Sequence, residues 1–140
     1  MESGESMYEK LVAYLPSLNG EKHGIWVSGK SKDPSASPFG FLMYDRTGDG
    51  IMHEVYRIVD RYPQMGLNRY QEILEKNGIH WNEREMKEAD VSKWDEQGVM
   101  ALLVGILRAD RFVEGVYKEF LENGCIRRWI ERLKEIDAQK

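Results

Sequence analysis

Residues Gly24, Ile25, Trp26, Val27, Ser28, Gly29, Lys30 and Ser31 satisfy the literal spacing of a phosphate-binding loop. Phe41 to Asp45 imitates the apolar strand whose terminal aspartate holds magnesium. Such a loop works only when a strand delivers small residues whose amides cradle phosphate and a helix begins at the Lys and Ser. Here the loop positions are themselves strand formers, nothing strand-like precedes them, and Pro34 and Pro38 forbid a long helix afterwards. No nucleotide site is expected. Asp45, Thr47, Asp49 and Gly50 open like a calcium loop, yet its twelfth position falls on Tyr56, where a bidentate glutamate is needed. A turn ending a strand is the expectation there. His23, His53, His80 and Cys125 show no metal-ligand spacing, so neither a metal nor another cofactor is expected. Cys125 follows Gly124 near a helix start, where a thiol would be activated if exposed; a lone cysteine reads instead as a small buried hydrophobe. No Ser, His and Asp set announces a catalytic triad.

The segment Arg108, Ala109, Asp110, Arg111, Phe112, Val113, Glu114 puts four charges directly after the most apolar stretch of the chain. Two readings stay open. On a helix, Arg111 and Glu114 are i, i+3 neighbours, as are Arg108 and Arg111, which suits a structural network fastening that stretch to the C-terminal helices. Alternatively, Arg108 and Arg111 bind an anion or carboxylate bidentately while Asp110 or Glu114 orients them or acts as a base. Neither reading fixes a reaction, and whether the chain is an enzyme stays open.

The elements that must position these residues are mainly helical. Tyr8, Leu11, Val12 and Leu15 have the spacing of a short amphipathic helix stopped near Pro16. Gly24–Gly29 and Phe39–Tyr44 suit the two strands of a small β-hairpin, with a mobile loop over 28–38 and a flexible stretch over 1–6. Arg46–Gly50 reads as a turn, followed by a helix carrying Val55, Ile58, Val59 and Tyr62 on one face and ended by Pro63. Asn68 with Gln71, Asn82 with Glu85 and Ser92 with Asp95 mark three helix starts by the capping-box pattern. Asn77–Gly78 and Asn123–Gly124 are stops. Val99–Leu107 is apolar on nearly every side, which predicts a central buried helix. Phe112, Val113, Val116, Tyr117, Phe120 and Leu121 form one stripe, and Ile126, Trp129, Ile130, Leu133 and Ile136 another. These two stripes predict a C-terminal αα-hairpin closing over the central helix.

The 140 residues, 41% hydrophobic and 31% charged, fit a single domain over 1–140 that folds without a metal or disulfide staple. The formal charge of −4 argues against a dedicated nucleic-acid binder. A basic last helix after Gly124 does not change this, because Glu119 and Phe120 stand where helix-turn-helix proteins keep an apolar and a small residue. Residues 71–98 hold eight acidic and four basic side chains, the whole chain's net charge. The longest apolar run is too short for a membrane span, which takes about 20 residues. With one cysteine and no secretory pattern at the start, the expected setting is the cytoplasm.

Asp90, Val91, Ser92, Lys93 and Trp94, a buried helix, then Arg108 to Gly115 and a closing Leu-rich helix resemble an uncharacterised prokaryotic family, the domain of unknown function 6508 family. The resemblance is best from about Tyr56 to Leu133. The family favours Glu where this chain has Asp110, which keeps the charge and shortens the reach. The resemblance implies the mainly helical fold and cytoplasmic setting and adds no chemistry. The first functional expectation is a non-catalytic protein-interaction or self-associating module, a homo-oligomer or a protein's partner, using aromatic surface around Trp26, Phe39, Phe41 and Trp81. The alternative is a ligand-binding protein or enzyme with an anion or carboxylate pocket at Arg108, Asp110, Arg111 and Glu114.

Overall fold

A helix that is oily on all sides has no face to give to water, so the rest of the chain must wrap it. In a computed structural model that describes residues 7–27 and 41–139, this is helix α5, Glu96–Ala109, in which Gly98 to Leu107 are all buried. Each fully buried Leu or Ile, such as Leu102 and Ile106, contributes about 1.5 to 3 kcal/mol by leaving water. Around it pack α2 (Arg46–Arg61), α3 (Tyr70–Lys76), α6 (Val116–Glu122) and α7 (Cys125–Ala138). The short α1 (Glu9–Val12) lies on α2 and α7, and α4 (Glu83–Glu88) precedes α5. The expected αα-hairpin is α6 and α7, joined at Gly124 with φ 91°, and Phe120 and Trp129 pack between them with ring centroids 5.7 Å apart. Strands β1 (Gly24–Val27) and β2 (Phe41–Tyr44) form an antiparallel pair in which Ile25 faces Met43 and Trp26 faces Leu42. The mainly α architecture with a small N-terminal β-hairpin is therefore as the sequence predicts; residues 1–6 and the whole of the 28–38 loop lie outside the described residues.

Three local expectations are corrected. Residues 46–50 are not a turn but the first turns of α2, started by Asp45, whose extended backbone and Oδ1, 2.8 Å from the Gly48 amide, form the N-cap. The glycines there answer to crowding. A Cβ at Gly48 would press on Tyr44, one at Gly50 would run into the ring of Tyr14, and Tyr117 donates its hydroxyl to the Gly48 carbonyl at 2.6 Å. Secondly, Asn68 does not cap α3, which grows out of a 3-10 turn over Leu67–Arg69. Ser92 does not start α5 either: it sits in a 3-10 turn whose cap is Asp90, and α5 begins at Asp95, which accepts from the Gly98 amide at 2.8 Å. The Asn82–Glu85 box does hold, with Asn82 accepting from the Glu85 amide at 2.8 Å. Thirdly, Phe112 and Val113 do not belong to the stripe of α6, which begins only at Val116.

Replacing Asp95 by Ala should lower unfolding free energy by about 1 kcal/mol, the worth of an N-cap. Ser92→Ala should stay within about 0.5 kcal/mol of the parent in the same denaturant titration. The reverse order would contradict this start of α5.

Candidate functional site

Helix α5 stops one residue after Arg108, and the segment 110–115 runs as a turn. What stops it is a carboxylate. Asp110 Oδ1 accepts hydrogen bonds from the Gly115 amide at 3.0 Å, the Tyr117 amide at 3.1 Å and the Tyr44 hydroxyl at 3.3 Å. Gly115, at φ 103°, supplies the left-handed step that brings its amide round. Burial first, and Asp110 next, push the Tyr44 phenol well above its ordinary value, so it keeps its proton and donates. The same Tyr44 oxygen accepts from the Lys118 amide at 3.2 Å, and its ring lies 4.9 Å from that of Tyr117. Glu114 Oε1 accepts from the Leu42 amide at 3.0 Å. Both acids of the segment therefore tie β2 and α6 to the end of α5.

The two arginines lie apart from these acids' bonds. The Arg108 guanidinium sits 5.7 Å from the centre of the Tyr56 ring, and its Nε is buried with no partner among the described residues. Arg111 is exposed; its amide donates to the Arg108 carbonyl at 3.2 Å, and its side chain has no ion pair or hydrogen bond among the described residues. The i, i+3 pairing of Arg111 with Glu114 requires a helix that has already ended, and it does not form.

Beside the turn is an apolar groove of about 300 Å³, walled by Trp81, Glu83, Met86, Ile106, Ala109, Phe112 and Val113. Trp81 is pinned by its indole N–H, which donates to the Gly105 carbonyl at 2.9 Å, and its ring meets Phe112 edge-on with centroids 6.2 Å apart. Gly105 leaves room for this packing: a Cβ there would come within 3.1 Å of Met86 and 3.3 Å of Trp81. The loop carrying Trp81 is held by Glu85, which accepts from the His80 amide at 2.9 Å and from the Asn82 side chain. These bonds, the His80 amide foremost, lower the Glu85 carboxyl from 4.5 to about 2.

Phe112 is 78% exposed and Val113 57%. Trp26, 54% exposed, lies against Gly115, where a Cβ would stand 3.1 Å from its ring. An apolar strip thus runs from Trp81 through Phe112 and Val113 to Trp26. Ile25 and Met43, cross-strand partners on the other face of the hairpin, are exposed as well. Of the expected aromatic surface, Trp26 and Trp81 lie on the strip; Phe39 lies outside the described residues, and Phe41 enters only as backbone of β2. Phe112 and Val113 were not expected on it. The one sequence signal for their exposure is Gly115, which interrupts the helical spacing between Val113 and Val116.

Sequence reasoning also missed a dyad of a buried histidine with an exposed aspartate. His23, 3% exposed, places Nδ1 2.9 Å from Asp45 Oδ2, its amide donates to Glu122 Oε2 at 2.9 Å, and its Nε2 is buried with no partner among the described residues. The dyad joins the start of β1 to the cap of α2. Cys125 is buried, and burial raises its thiol pKa despite Arg128 nearby. Among the described residues no three of His, Cys, Asp and Glu converge closely enough to hold a metal ion, and no helix is long and apolar enough to cross a membrane. Lys30 and Ser31 of the phosphate-loop pattern lie outside the described residues, while its first half is strand β1. In the polar cleft beside α7, Arg128 and Arg132 donate to the Lys87 and Trp94 carbonyls.

A family described as "Family of unknown function (DUF6508)" matches residues 5–139. No match was found among curated proteins or among solved structures.

Asp110→Ala should destabilise the fold by about 2 to 3 kcal/mol, because it strands two amides and a hydroxyl. Arg111→Ala should change stability by no more than about 0.5 kcal/mol in the same melt. For Glu85, whose folded carboxyl lies below its ordinary value, the stabilisation is complete above pH 4.5 and is lost as pH falls toward about 2. Glu85→Gln should remove that acid-dependent part, read as a flatter tryptophan-fluorescence titration over the same window; identical titrations would deny Glu85 this role.

Proposed function

The chain belongs to this family of unknown function, and we propose from its own geometry that it is a small non-catalytic protein-interaction or self-associating module of the cytoplasm, folded as one domain. One observation carries the reading: Phe112 and Val113 stand exposed beside an apolar groove on a turn fixed by three hydrogen bonds to Asp110. Singly exposed apolar side chains are ordinary on any surface. Exposed apolar side chains gathered about one turn, with aromatic members among them, are the composition of an interface centre. A pre-fixed turn also lowers the ordering cost of binding. A lone buried cysteine without a disulfide suits a reducing compartment.

The second reading keeps Arg108, Arg111, Asp110 and Glu114 as a site for an anion or carboxylate, and the unpartnered Arg108 Nε favours it. It asks more, since Asp110 and Glu114 already accept hydrogen bonds from the chain's own groups.

Light scattering across concentration should show a mass above the 16.3 kDa of one chain, or a defined partner should be recovered by cross-linking. A strict monomer without any partner would overturn the module. A thermal-shift screen against phosphate, nucleotides and carboxylates should give no rise that Arg108→Ala or Arg111→Ala abolishes; such a rise would establish the second reading instead.

A further inference from the structure

The surface of that module has an apolar groove with an exposed apolar wall. Phe112 and Val113 form part of the groove wall and stand largely exposed on it, while Trp81, Met86 and Ile106 line the rest. On one molecule wall and groove cannot satisfy each other any further. A two-fold axis beside the wall places each copy's exposed pair over the other copy's groove, the geometry of an isologous contact in which one patch serves both sides. Charge points the same way. Arg111 directly precedes Phe112, Glu83 stands on the groove wall, both are exposed, and neither has an ion pair among the described residues. A symmetry that seats Phe112 in the other copy's groove would carry its chain neighbour Arg111 to the wall on which Glu83 stands, twice. An unrelated partner would need its own apolar knob, its own apolar cavity, a cation for Glu83 and an anion for Arg111; this chain carries all four.

Resting on the reading of the chain as an interaction module, we propose that its partner is a second copy of itself, docked through Phe112 and Val113 into the Trp81–Ile106 groove with reciprocal Arg111–Glu83 pairs. A standard interface covers about 800 Å² per copy, and an aromatic side chain supplies about 150 to 250 Å² when wholly buried. Trp81 and Trp26 are already partly covered, so the contact falls below that size and forms a weak dimer, filled only at high concentration. Rigidity of the 110–115 turn offsets part of the entropy lost on docking.

Sedimentation velocity on the full chain, from the micromolar to the millimolar range, tests this with Phe112→Asp, Arg111→Glu and Glu83→Lys. All three positions are exposed, and the melting of each variant is checked alongside. The parent should dimerise and Phe112→Asp should stay monomeric. Arg111→Glu and Glu83→Lys should each self-associate about tenfold more weakly, because each sets like charges opposite one another. An equimolar mixture of these two should dimerise like the parent, since every pair across the mixed dimer is again of opposite sign. A dimer that survives Phe112→Asp, or a mixture no better than its components, overturns the docking mode while leaving self-association intact. A parent monomeric throughout overturns the second copy altogether; capture of a different protein that Phe112→Asp abolishes would then preserve the module.

Discussion

The constraint that shapes the whole structure is the complete desolvation of α5. Ten successive residues, Gly98 to Leu107, leave water together, so four helices must close around one. This sets what happens at its C-terminal end. Once the chain emerges from the core, the amides of Asp110 to Val113 take up carbonyls of the last turn, and the start of a new helix within a few residues falls on the Asp110 carboxylate. One carboxylate oxygen gathers the amides of Gly115 and Tyr117 and the hydroxyl of Tyr44. The turn so formed has no room to fold Phe112 and Val113 inward, because α6 takes up the core face only from Val116. Exposure of two large apolar side chains is thus the geometric remainder of ending a buried helix abruptly.

The same economy explains why the charged segment after α5 does not act as one cluster. Asp110 and Glu114 serve backbone amides, Arg108 lies on the Tyr56 ring, and Arg111 reaches into solvent. A charge-assisted bond to a backbone N–H is stronger than an exposed ion pair. The acids therefore go where amides would otherwise be stranded, and Arg111 is left for whatever approaches from outside.

Much of the fold was legible in the order of residues. The all-round apolarity of 99–107 marks the central helix, the stripe from Ile126 to Leu133 marks α7, and Gly78 and Gly124, both at positive φ, mark the stops. Helix starts were less so. Ser92 and Asp95 stand three residues apart, each a competent cap, and only packing decides between them. Gly48 and Gly50 have poor helix propensity and look like a turn until Tyr44 and Tyr14 are seen to occupy the space above them. Periodicity placed Phe112 and Val113 on the stripe of α6 because it counts spacing and is blind to the chain reversal at Gly115. The His23–Asp45 dyad, joining residues 22 apart through the sheet, leaves no mark in local sequence.

The β-hairpin is attached to the helical body chiefly from its margins. Glu114 holds the Leu42 amide, Glu122 holds that of His23, and Asp45 holds the His23 ring, while Ile25 and Met43 face outward. Apart from His23 and Tyr44, it lends little to the interior. A unit fastened by carboxylates rather than by oily contact can come loose while the helices remain assembled, so the molecule has two levels of cooperativity, with subglobal opening of the strands lying below global unfolding in free energy.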